Sequence, residues 1–220
     1  VGIAVMFLAL RIDYRLYKQR PFVLFAVGAT LALLILVLLV GSGEGTRRWL
    51  SLGPTNLQPS EIAKLTMVLF LAAYLTRKDD EINDWWKSLF PALATVGLFA
   101  LLIVREPDLG TAVMLVAVAG VMLLIAGLAW RYIIGFGTLA VALVGAQILM
   151  TGYQTRRIIA FMNPWADPLD VGFQTVQSLI AIGTGGIAGA GLAEGKQKLS
   201  FLPEPHTDFI YAVIGEELGL

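Results

Sequence analysis

Residues 203–220, PEPHTDFIYAVIGEELGL, place His206, Thr207 and Asp208 at the mouth of an apolar run that also carries Glu216 and Glu217. The chain has one histidine, and it falls here. Ionisable groups in a stretch that crosses or lines a membrane are costly, so they are usually paired, cavity-facing and functional. Asp208 stands between Thr207 and Phe209 and is followed by Ile210 and Tyr211. Apolar surroundings are expected to raise its pKa toward the range of a general base. The plainer alternative is a helix N-cap. For His206 the choice is between a ligand contact and a structural histidine. Glu216 and Glu217 are adjacent, so on a helix they diverge by about 100° and are not expected to face one site together.

Three more constellations have chemistry-bearing types at useful spacings. Arg47-Arg48-Trp49 joins two guanidinium groups to an interfacial aromatic ring. Such a pair suits phosphate geometry, either as a clamp on a lipid-linked phosphate or as an ordinary headgroup contact. In Gln58-Pro59-Ser60-Glu61 with Lys64, the acid and the lysine are three apart and share a helix face. They either neutralise each other or, inside a cavity, tune a neighbouring acid. In Glu106-Pro107-Asp108-Leu109-Gly110-Thr111, Asp108 is placed to cap a helix beginning at Leu109, with Ser60 expected as the cap of the helix after Pro59. One His and no Cys leave only oxygen ligands for a metal. No strong metal motif is present and the sequence calls for no cofactor, although a carboxylate-bound Mg²⁺ or Mn²⁺ bridging to a pyrophosphate stays open. The glycines at 183–186 and 189–191 lack the lysine and strand context of a nucleotide loop, and suit tight turns instead.

The elements that must carry these residues follow from composition. Of 220 residues 57% are hydrophobic and 15% charged, with a mean hydropathy of +0.77. That describes a polytopic, all-α membrane protein, a multi-helix transmembrane bundle. A net charge of zero argues against nucleic acid as a partner. The absence of cysteine excludes disulfides and thiolate metal sites. Apolar segments are expected at 21–40, 60–75, 88–104, 109–128 and 132–150, with 1–10 the tail of another. The whole reads as one membrane domain over 1–220, truncated at both ends. Its loops 41–60 and 151–220 are expected outside the cytoplasm, the second long and partly buried or re-entrant. Arg11, Arg15, Lys18, Arg20, Arg77, Lys78, Lys87 and Arg131 fall in the alternate loops and favour those as cytoplasmic. Trp85 and Trp86 read as interfacial anchors against membrane lipids.

Taken together these motifs resemble the SEDS family (shape, elongation, division and sporulation), membrane glycosyltransferases that polymerise peptidoglycan. The resemblance rests on Arg47-Arg48-Trp49-Leu50, Gln58-Pro59-Ser60-Glu61 with Lys64, Pro107 to Thr111, Asn163 to Pro168, Gln174, Gln177-Ser178-Leu179, Leu202-Pro203-Glu204, His206 to Phe209 and Gly215 to Gly219. These run in the family's order along nearly the whole chain, and the stretch 156–192 is more similar to the division type, FtsW, than to RodA. The resemblance implies a ten-helix fold and an outward-facing active site in the bacterial cytoplasmic membrane. It implies lipid II as substrate, and a class B penicillin-binding protein transpeptidase as partner. By matching position Asp208 is the family's catalytic aspartate, with Glu61, Lys64, Arg47 and Trp49 on its important loop and helix. Two departures stand out: Glu106 where Gln is common, and Pro205 where Ala or Arg is frequent. A lipid II flippase, or a non-catalytic scaffold for the transpeptidase, would use similar features.

Overall fold

Proline sets the start of three helices. Its fixed φ and missing N–H suit the first helical turn, where that donor would be unsatisfied anyway. Pro21 opens α2 (Arg20–Val40), Pro59 opens α3 (Pro59–Arg77) and Pro91 opens α4 (Phe90–Arg105). The computed structural model describes residues 2–41, 48–51, 56–78, 81–199, 202 and 208–219, without the side chains of residues 4, 5, 8, 153 and 198. Before α2 lies α1 (Gly2–Leu10). After α4 come α5 (Leu109–Ile125), α6 (Trp130–Met150), α7 (Gly152–Met162), α8 (Phe173–Gly185) and α9 (Ile210–Leu218). Two short strands, β1 (Leu50–Ser51) and β2 (Asn56–Leu57), pair antiparallel between α2 and α3, with Leu50 opposite Leu57.

The chain divides into two compact units, Val1–Val144 and Gly145–Leu220. The centre of the first is built on α3 and α5. On α5 the buried residues Ala112, Leu115, Ala119 and Leu123 recur every three or four positions, the period of one helix face. They meet Met67 and Leu71 of α3, Phe99 and Ile103 of α4, and Leu34 of α2 in one apolar cluster. Within this packing, Thr30 on α2 and Thr66 on α3 share a buried hydroxyl hydrogen bond of 2.9 Å. At the far end Asn83 accepts from the Ala129 N–H at 2.8 Å, tying the loop before α4 to the turn after α5. That turn needs Gly127, at φ 89°. Trp85 then stacks on Phe136 of α6, with ring centroids 5.9 Å apart.

Among the described residues, α2, the segment Trp85–Arg105 and α6 are long and apolar enough to cross a membrane, and α5 is a shorter apolar helix. Many large apolar side chains on these helices are exposed, including Phe25, Leu39, Leu101, Leu143 and Leu149. Lipid, rather than water, is the solvent such a surface suits, and a helix satisfies its own backbone polar groups there. This is a polytopic helical membrane protein.

The second unit is built differently. α7 ends where Asn163-Pro164 breaks the helix, and Gly172 lies so close to the Pro164 and Asp167 carbonyls that a Cβ would strike them. α8 and α9 form its packed pair, around Ala181, Ala212 and Leu202.

Candidate active site

In the first unit three pieces converge on the turn between α4 and α5. Arg48, half-buried just before β1, donates from Nε to the carbonyl oxygen of Glu106 at 3.0 Å, and from Nη2 to that of Pro107. Gln58, the residue before the proline of α3, donates from Nε2 to Asp108 Oδ2 at 3.3 Å. Asp108 caps α5: Oδ1 accepts the Thr111 N–H at 3.2 Å and Oδ2 the Thr111 hydroxyl at 2.8 Å. The expected cap at Asp108 is thus present. The expected cap at Ser60 is not: Gln58 holds the N-cap position, and Ser60 is fully buried with its hydroxyl unpartnered. The helix starts earlier because Pro59 already has helical φ.

Glu106 is the unusual group here. It has no exposed surface, and neither carboxylate oxygen has a hydrogen-bond partner. A buried, unpaired carboxylate is far costlier than the neutral acid. Burial first, and then the charge of Asp108, push the Glu106 carboxyl up to about 7, against a smaller downward pull from Arg48. The turn therefore holds an acid that titrates near neutrality beside one engaged in capping. The sequence names Gln58 and Glu106 within their motifs, and Glu106 as a departure from the family, but assigns neither a contact. An amide directly before a helix-opening proline is the signal that finds Gln58.

Glu61 and Lys64 pair as their spacing predicts, with Lys64 Nζ 2.7 Å from Glu61 Oε1. The carboxylate side chain is 57% exposed, so the pair contributes under about 1 kcal/mol. Lys64 also edges an apolar groove with Leu65, Met67 and Val68 of α3 and Met114 and Leu115 of α5. Trp49 is exposed beside Arg48. Arg47 and His206 lie outside the described residues.

In the second unit Asp208 sits in the turn leading into α9. Phe209, not Asp208, is the N-cap residue. The Asp208 side chain is exposed rather than enclosed by apolar neighbours, and it makes no hydrogen bond or ion pair with the described residues. The turn lifts it clear of the apolar text around it. Glu216 is buried and Glu217 half-buried, yet both side chains reach the turn at Gly195.

A family model described as "Cell cycle protein", that of FtsW, RodA and SpoVE, matches residues 1–220. The chain belongs to this family. A probable peptidoglycan glycosyltransferase FtsW of Geobacter sp. (strain M18) is 41% identical over all of this chain and 60% of its own length. Stage V sporulation protein E of Bacillus subtilis is 38% identical, with the same coverage. The chain thus spans about 60% of the length of these FtsW/RodA/SpoVE relatives. Among solved structures, a peptidoglycan synthase complex contains a chain with TM-score 0.73 and 31% identity, covering 100% of this chain and 60% of that one. The rod shape determining protein RodA of Thermus thermophilus matches at TM-score 0.56 and 35% identity, over 65% of this chain and 46% of its own.

Proposed function

We propose that this protein is a peptidoglycan glycosyltransferase that polymerises lipid II into β-1,4-linked glycan on the outer side of the bacterial cytoplasmic membrane. Asp208 is the base. It takes the proton from the 4-hydroxyl of the acceptor sugar, and that oxygen attacks the anomeric carbon of the donor. The new carbon–oxygen bond forms as the bond to undecaprenyl pyrophosphate breaks, with inversion. Asp208 then carries the proton and the pyrophosphate leaves with the electron pair. Arg47 and Arg48 supply positive charge for that leaving group, and Trp49 anchors their loop in the interface. His206 contacts the substrate beside Asp208, the Glu61–Lys64 pair sits on the first turns of α3, the helix after the arginine loop, and Asp108 caps α5, whose preceding turn receives Arg48.

The observation that carries this reading is an exposed carboxylate, unengaged by the described residues, in the motif that the family resemblance marks as catalytic. The names of the FtsW relatives support the reaction class. The neighbour's assembly into a synthase complex supports a class B penicillin-binding protein transpeptidase as partner. Orientation follows the basic loops at 11–20, 77–87 and 131, placed in the cytoplasm.

The test is polymerisation of lipid II by the full-length protein with its transpeptidase. Asp208→Asn should lose glycan product at least about 100-fold with folding intact. Undiminished polymer would sink the assignment. Movement of labelled lipid II across liposomes without polymer would instead point to a flippase.

A further inference from the structure

α8 and α9 meet backbone to backbone. A Cβ at Gly185 would strike the carbonyl oxygen of Gly215, one at Gly189 that of Glu217, and one at Gly219 that of Ile187. The N–H groups of Ala190 and Gly191 donate to the carbonyls of Glu216 and Glu217 at 2.8 and 3.1 Å. α9 is thereby held in one register on α8.

Glu216 lies on this held helix and is 3% exposed. No cation partners its carboxylate among the described residues; backbone N–H groups do. Oε1 accepts from Lys196 at 2.9 Å and from Gln197 at 3.3 Å, and Oε2 accepts from Gln197 at 3.2 Å. A carboxylate accepting N–H bonds is a charge-assisted anchor, stronger than a neutral one. The Gln197 carbonyl in turn accepts the Leu202 N–H at 3.0 Å. Leu202 is buried with Ala181 and Ala212, and Phe209 packs against the same cluster. Glu216 is thus linked to Asp208 through described residues: its carboxylate holds the Gln197 amide, Gln197 holds Leu202, and Leu202 lies in the cluster against which Phe209, the residue after Asp208, packs.

We propose that Glu216 is a positioning residue for Asp208: by holding the Lys196–Gln197 turn onto α9 it keeps Leu202 in the cluster that seats Phe209, the residue after the base. It acts through these contacts and touches neither substrate nor the reacting atoms. Gly195 fits the same role, because a Cβ there would sit 3.0 Å from Glu216 Oε2 and 3.1 Å from the Glu217 side chain. A side chain at 195 would require these two carboxylates to give way by a few tenths of an ångström. The inference rests on Asp208 being the base.

The experiment compares Glu216→Ala, Glu216→Gln and Asp208→Asn in the full-length protein. It reads kcat and KM for lipid II, and hydrogen exchange of the 196 and 197 amides. Glu216→Ala should lower kcat about tenfold or more, with KM within about twofold, because a misplaced base affects the transition state more than binding. Its two amides should exchange faster. Glu216→Gln keeps one acceptor oxygen and should fall between wild type and Ala in both readouts. Unchanged amide protection in Glu216→Ala would overturn the proposal, as would lost protection with wild-type kcat. If the Ala variant does not fold, the Gln variant decides by the same two criteria. Should Asp208→Asn polymerise at the wild-type rate, the base assignment falls, whereas the amide exchange still reports on the anchor.

Discussion

The turn between α4 and α5 and the turn before α9 each carry an acid without a hydrogen-bond partner, in opposite settings. Glu106 is sealed among packed helices, whereas Asp208 is exposed. A sealed acid is a stability and pH element: it touches no substrate, and its charge state is set by the protein around it. An exposed acid in the turn before a packed helix is available to a ligand. The pairing of each turn matters too. Arg48, Gln58 and Thr111 spend their donors on the first turn, on its carbonyls and on the capping Asp108. The second turn leaves Asp208 unspent, while Glu216 on the helix after it holds the Lys196–Gln197 turn.

The comparison breaks most visibly at Asp208. Its Asn variant should lose polymerisation by at least about 100-fold while its thermal midpoint stays put, and a large drop in midpoint would make Asp208 structural as well. The next largest effect belongs to Glu106. Its folded pKa, about 7, lies above the ordinary 4.5, so the folded state binds the proton more tightly. Stability from this group is fully present below pH 4.5 and is lost as pH rises through about 7. The loss is on the order of 3 kcal/mol. Melting in detergent from pH 5 to 8 should show that fall, and Glu106→Gln should flatten it; an identical slope in the variant would locate the titration elsewhere. Asp108→Ala should cost about 1–2 kcal/mol through the lost cap, read as a lower midpoint in denaturant or heat. The smallest change is expected for Lys64→Gln, under about 1 kcal/mol, because its pair with Glu61 is largely solvated. A larger stability loss would mean the pair is buried in the membrane-inserted protein.

Much of the first unit was legible from the text of the chain. The apolar runs expected at 21–40 and 109–128 correspond to α2 and α5, and the spacing of Glu61 and Lys64 gives their pairing. These are local effects within one or two turns. What was hidden was long-range. Gln58 finds Asp108 across 50 positions and Arg48 finds the Glu106 carbonyl across 58. Thr30 meets Thr66 across 36. No periodicity encodes such pairings. Ser60 was misread for a related reason, since a serine after a proline looks like a cap until packing buries it. In the second unit Asp208 was legible by motif, but its exposure and the capping by Phe209 were not.

Sequence by itself determined that this is a helical membrane protein, roughly where the apolar helices of its first unit run, and which acids and arginines deserve a role, because backbone propensity and hydropathy act locally. Tertiary structure alone decided which of those acids is sealed, which is exposed and which becomes an anchor. Burial is set by what packs against a residue from distant parts of the chain, and a carboxylate's chemistry follows its burial and partners more than its position in the sequence.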